Sequence, residues 1–106
     1  MLITDQWAAI RGLVDWLDSQ HGRSDHELAM RTLKVTEEAG EVAAAYIGVP
    51  GQNPRKGRSH GWTDVEAELC DVIVTAAVAL ASISAQPQGV LDAKLAKIAA
   101  RSGVTV

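Results

Sequence analysis

Apolar positions recur at spacings of three and four along most of the chain, the period of a helix with one buried face. Trp7, Ile10, Val14 and Leu17 mark such a face between Asp5 and Gln20, with Thr4 or Asp5 as its cap and His21-Gly22 as its stop. A second helix is predicted from Ser24 to about Ile47. Ser24-Asp25-His26-Glu27 reads as a capping box at its start, and Gly48, Pro50 and Gly51 end it. A third helix is predicted from Thr63 to about Ser84, with Thr63-Asp64-Val65-Glu66 as a second box. After Asp71 it is apolar almost all round, which predicts the central and most buried helix. Pro87 and Gly89 mark a break, and Leu91, Leu95, Ile98 and Ala99 give a last helical face between Val90 and Arg101.

Residues 48–61 form the one long connection, fourteen residues rich in Gly and Pro with three basic side chains. Loops of that length are often functional. No strand-like alternation, repeat or low-complexity tract interrupts the pattern. The expectation is an all-α fold, a four-helix bundle in one domain over residues 1–106, with helices two and three forming an antiparallel hairpin.

Composition narrows the function classes. Hydrophobic residues make up 47% of the chain, a globular composition that in so short a chain favours oligomers. A net charge of -3 provides no large basic field for duplex nucleic acid. One cysteine, Cys70, cannot form an internal disulfide and fits a reducing cytoplasm; it reads as a core residue. The first residues turn polar too soon for a signal peptide, and Val72 to Ile83, twelve residues, is too short to span a membrane.

The acidic residues carry the chemistry. With Glu38 at zero on its helical wheel, Glu41 lies about 60° to one side, and Val42, Val35 and Leu28 lie within about 80° on the other. Glu68 and Asp71 repeat the arrangement on helix three, with Val72, Val65 and Ala76 on the apolar side. These acids border the core face, where ionised carboxylates are costly without a positive partner. In an antiparallel hairpin Glu41 falls beside Glu68, and Glu38 beside Asp71, because each pair has the same index sum. Four carboxylates so placed repel one another, and a hard divalent cation such as Mg²⁺ is the natural remedy. Glu37, at the edge of the cluster, sits where a general base could reach a metal-bound water. Asp64 is a weaker outer-shell candidate.

Lys34-Val35-Thr36-Glu37-Glu38-Ala39-Gly40-Glu41-Val42, followed by Glu68-Leu69-Cys70-Asp71-Val72, resembles the EExxE…ExxD signature of MazG-like, all-α nucleoside triphosphate pyrophosphohydrolases. The likeness covers roughly residues 24 to 101. It implies Mg²⁺ held by Glu38, Glu41, Glu68 and Asp71, with Mn²⁺ as a substitute, and Glu37 positioning or activating the attacking water. It implies hydrolysis of a nucleoside triphosphate to the monophosphate and pyrophosphate, and a homodimer or homotetramer. The chain departs from the pattern after ExxD, where Lys94, Lys97 and Arg101 are the only basic candidates for phosphate, with Asp92 near them.

Other positions admit two readings each. Arg55, Lys56 and Arg58 form either a lid over phosphates or a solvated loop. Lys34 either contacts phosphate or pairs with Glu38 at i,i+4. Gly40 marks either a close approach or a tolerated glycine. Trp62 and His60 either stack on a base or pack at the start of helix three. Trp7 and Trp16 read as core or interface. No histidine has the ExxH spacing of a di-iron site. The competing function class is a non-catalytic helical oligomerisation or nucleotide-sensing module.

Overall fold

The computed structural model describes residues 2–106. It contains four helices and, among the described residues, no strand: α1 (Thr4–His21), α2 (Asp25–Gly48), α3 (Trp62–Ile83) and α4 (Pro87–Arg101). α2 and α3 form the most extensive pairing, and three rungs show that they run antiparallel. Tyr46 meets Trp62 with ring centroids 5.5 Å apart. Glu38 and Glu41 meet Glu68, and Arg31 meets Ser82.

The helix starts follow local hydrogen bonding. Ser24 caps α2 as expected, its Oγ accepting from the Glu27 N–H at 3.1 Å. The reciprocal bond of the box does not form, because the Glu27 carboxylate accepts from Arg31. α1 is capped neither by Thr4 nor by Asp5. Ile3 takes the cap position and its N–H donates to Gln6 Oε1 at 2.9 Å. α3 begins two residues earlier than a cap at Thr63 implies, because Asp64 Oδ2 accepts from the Gly61 N–H at 2.8 Å and makes Gly61 the cap. Asp64 is therefore a capping residue. α4 starts at Pro87, three residues before the expected Val90. Proline at N1 has no N–H to lose and a preset φ, so it opens a helix as readily as it ends one.

The core lies where α1 crosses the second half of α3. Trp7, Ile10 and Val14 pack against Ala77, Val78 and Ala81, with Leu2, Leu17, Leu80 and Leu91 around them. α3 is central and touches all three other helices, as its apolar character predicts. Its first half is covered only by α2, because α1 does not reach that far. Cys70 is consequently exposed, contrary to the core reading, and so are Leu69, Ile73 and Val74. Trp16, on the edge of α1, is 57% exposed and belongs to the surface. α4 buries no residue fully and makes its contacts with α3.

This arrangement leaves surplus surface. A compact monomer of 11.2 kDa exposes about 5,700 Å², whereas this chain exposes 7274 Å², roughly 1,600 Å² more. Its radius of gyration is 16.6 Å against about 13 Å for a compact domain of this length. No single helix among the described residues is long and apolar enough to cross a membrane.

Candidate metal centre

Two residues of α2 and one of α3 make the acidic centre. Carboxylate oxygens of Glu38, Glu41 and Glu68 lie within 4.8 Å of one another. Glu38 and Glu68 are half-buried and Glu41 is exposed. The placement follows from the helical angles: each acid flanks the seam along which α2 and α3 pack. Glu68 sits deepest. Its Oε2 is shut off from solvent and has no hydrogen-bond partner among the described residues. Burial, then the charges of Glu41, Asp71 and Glu38, push its carboxyl above the usual range.

Asp71, one turn beyond Glu68, is exposed and stands outside the three-carboxylate group, but its charge acts on Glu68. Lys34 lies on the other flank. Its Nζ donates to Glu37 Oε1 at 2.7 Å and stands 3.7 Å from Glu38 Oε1. Glu37 is thus the primary partner and Glu38 the secondary one. The hydrogen bond and charge of Glu37 raise the Lys34 pKa above its ordinary value.

The structure does not join the other basic candidates to the acids. Ser59 and His60 donate their backbone N–H groups to the Gly48 carbonyl, folding the loop back onto the end of α2. Arg55, Lys56 and Arg58 stand on this loop, exposed and without an ion pair among the described residues. Gly48 lies about 10 Å along α2 from Glu41. Lys94, Lys97 and Arg101 are likewise exposed and unpaired on α4. Nothing approaches Gly40, so it is the tolerated glycine. The close approach occurs at Gly48, where a Cβ would collide with the His60 ring and the Ser59 hydroxyl.

A second ionic cluster lies two turns from the acids along α2, and sequence reasoning missed it. Arg31 is 5% exposed. Its Nε donates to Glu27 at 2.7 Å, Nη1 to Asp18 at 2.9 Å and to Ser82 Oγ at 3.2 Å, and Nη2 to the Gly22 carbonyl at 3.0 Å. Arg23 adds two hydrogen bonds to Asp18 and one to the Ser82 carbonyl. One guanidinium thereby ties the end of α1, the start of α2 and the end of α3. The available signal was position: Arg31 interrupts the apolar stripe of α2 between Leu28 and Val35, where a solvated arginine has no place.

Above Arg31 an apolar groove opens between α1 and α2. Leu13, Trp16 and Leu17 form one wall, Val74 and Val78 the floor, and Met30 and Leu33 extend it toward Lys34 and Glu37. The groove therefore ends at Lys34 and Glu37, on the flank of the acidic centre. Comparison of the chain with protein-family models, with curated proteins and with solved structures finds no match in any of the three.

Proposed function

We propose that this protein is a MazG-like, Mg²⁺-dependent nucleoside triphosphate pyrophosphohydrolase. The observation that carries the reading is the carboxylate trio from two helices, with an enclosed Glu68 oxygen that lacks any partner. Oxygen-only donors at the edge of a core suit a hard divalent cation. Glu38, Glu41 and Glu68 would hold Mg²⁺, or Mn²⁺ in its place, with Asp71 joining from the next turn. When bound, the ion supplies charge screening at phosphate oxygens and a more acidic water.

The chain's own residues supply the remainder. Glu37 accepts the proton of the attacking water once Lys34 releases it. Lys34 then turns its ammonium toward the phosphate chain, exchanging one anionic partner for another. The apolar groove beside them takes the nucleoside, and the α–β phosphoanhydride is cleaved to monophosphate and pyrophosphate. A role in nucleotide-pool house-cleaning fits this chemistry. The lone free thiol of Cys70 suits the cytoplasm.

The surplus surface supports a homodimer or homotetramer. Roughly 1,600 Å² of excess exceeds the ~800 Å² that each partner contributes to a standard interface. The same surplus, with the basic side chains of the 48–61 loop and of α4 unpaired with the acids, favours one rival: a non-catalytic oligomerisation or nucleotide-sensing module.

One experiment separates the two. Incubation with a panel of ordinary and modified triphosphates and Mg²⁺ or Mn²⁺ should release pyrophosphate, and Glu38→Gln should abolish release with helicity unchanged. Metal-dependent nucleotide binding by calorimetry without product would support the sensing module and sink the enzymatic reading.

A further inference from the structure

The 48–61 loop takes no part in the acidic centre, yet it has a shape of its own. Its amides close off the end of α2: Val49, Gln52 and Ser59 donate to the carbonyls of Tyr46, Ile47 and Gly48. The Lys56 and Gly57 N–H groups turn onto the Asn53 carbonyl, and the Arg55 N–H onto Asn53 Oδ1 at 3.2 Å. Gly51 and Gly57 take positive φ, and the loop crosses itself so closely that a Cβ on Gly51 would press on the Arg58 backbone.

Between this loop and α2 lies a cleft of about 370 Å³. Ala44, Ile47 and Gly48 of α2 form one wall, and Asn53, Lys56, Ser59 and His60 supply its polar side chains. All four have donors to offer. Lys56 carries an ammonium, and Asn53, with its oxygen occupied by Arg55, keeps its amide donors. The Ser59 hydroxyl lies 2.8 Å from His60 Nδ1, and when it donates there the imidazole proton sits on Nε2.

The charge balance of the loop is one-sided. No carboxylate lines the cleft, and no Asp or Glu occurs between Glu41 and Asp64. Asp64, past the end of the loop, is committed to the Gly61 N–H. Arg55, Lys56 and Arg58 have no anionic partner among the described residues, although the chain as a whole carries a charge of -3. The end of a helix ordinarily repels an anion, but here its last three carbonyls already accept loop amides. Three neighbouring cations beside a cleft of donors attract an anion with several oxygens.

We propose that this cleft binds a phosphate oxyanion, and a polyphosphate more tightly than a single phosphate, because three cations stand within four residues of a shaped loop. With Ala44 at zero on the α2 wheel, Glu37, Gly48 and Glu41 lie at about 20°, 40° and 60°, so the cleft and the acids share one face. In the one clause that rests on the hydrolase reading, the cleft takes the far phosphates of a chain whose near phosphate lies at the acids.

The test is a nitrogen–proton NMR titration of the full chain in metal-free buffer with sodium pyrophosphate, with sodium phosphate, and with sodium chloride of equal ionic strength. No metal is present, so failure of the hydrolase reading leaves the result untouched. Pyrophosphate should shift the Lys56, Gly57, Ser59 and His60 amides saturably, phosphate should do so more weakly, and chloride should not. Lys56→Gln, at an exposed and unpaired position, should weaken pyrophosphate binding about tenfold, the loss of one charge-assisted contact. Arg11→Gln removes a cation from α1 that is likewise exposed and unpaired, and should leave binding unchanged. Absent shifts, shifts that chloride reproduces, pyrophosphate bound no tighter than phosphate, or equal losses in the two variants overturn the proposal.

Discussion

Replacing Arg31 with methionine keeps most of the side-chain volume and removes the charge that joins three helices. Breaking a buried ion pair by deleting one partner costs about 3–5 kcal/mol, largely because the other charge is left uncompensated. Here Asp18 retains two hydrogen bonds from Arg23, and the Glu27 side chain is 17% exposed, so water reaches it. Ser82 keeps its bond to the Val78 carbonyl. The loss therefore falls at the low end, about 3 kcal/mol, out of the ~5–15 kcal/mol that stabilises a domain. Urea unfolding followed by far-ultraviolet circular dichroism, at one fixed protein concentration, should show a midpoint lower by roughly 2 M. Adding Glu27→Gln to the variant should cost less than its effect in the parent, with a coupling of at least about 1 kcal/mol. A loss under about 1 kcal/mol for Arg31→Met, or strict additivity with Glu27→Gln, would refute the reasoning.

Other outcomes follow from the same geometry. Glu68→Gln should raise the melting temperature in EDTA, since a carboxyl held against its neighbours' charges is neutralised, and should abolish any rise on adding Mg²⁺. An unchanged Mg²⁺ response would remove Glu68 from the metal site. Asp18 carries a burial penalty that hydrogen bonds and charges from Arg23 and Arg31 outweigh, leaving its pKa below the ordinary value. A carboxyl lowered on folding stabilises above its unfolded pKa of about 3.9, and that contribution is lost as pH falls through the folded value. Acid titration should thus reveal a stability loss below about pH 4 that Asp18→Asn lacks. Gly40→Ala should gain about 1 kcal/mol of helix stability because nothing approaches that position. Gly48→Ala should gain nothing, because Ser59 and His60 must move aside; equal gains in the two variants would contradict the observed contact.

What could be read from the sequence is what depends on one helix or one pair of helices. The ends of α1 and α2 fall within one residue of the capping and stop signals, and helical angles put Glu38, Glu41 and Glu68 along one seam, whereas the equal index sums expected Glu38 beside Asp71, which stands outside the group. The rest depends on which element covers which. Cys70 is apolar in pattern yet exposed because α1 stops short of it. Arg31 breaks an apolar stripe for partners on two other helices, which no periodicity encodes. Gly40 lies inside α2 and Gly48 at its end, and only the path of the following loop shows which of them meets a neighbour. The start of α4 illustrates a different limit: proline opens and closes helices alike, and its neighbours decide which.

The fastening of α1 has a kinetic side. Its first half is held by burial of Trp7, Ile10 and Val14 against α3, while its last turn is held by Arg31 through Asp18. The first is an entropy-driven adhesion that weakens on cooling, and the second responds to protons. Amide hydrogen exchange should therefore divide the helix in two. Acidification speeds opening around Leu17–His21 beyond the intrinsic pH effect and leaves the stretch around Ile10 unchanged, so a single rod comes loose from one end at a time. A helix that frays in this order lifts the wall of the groove beside Lys34 and Glu37 without dismantling the α2–α3 hairpin. Opening of that groove and global unfolding would thereby be separate events.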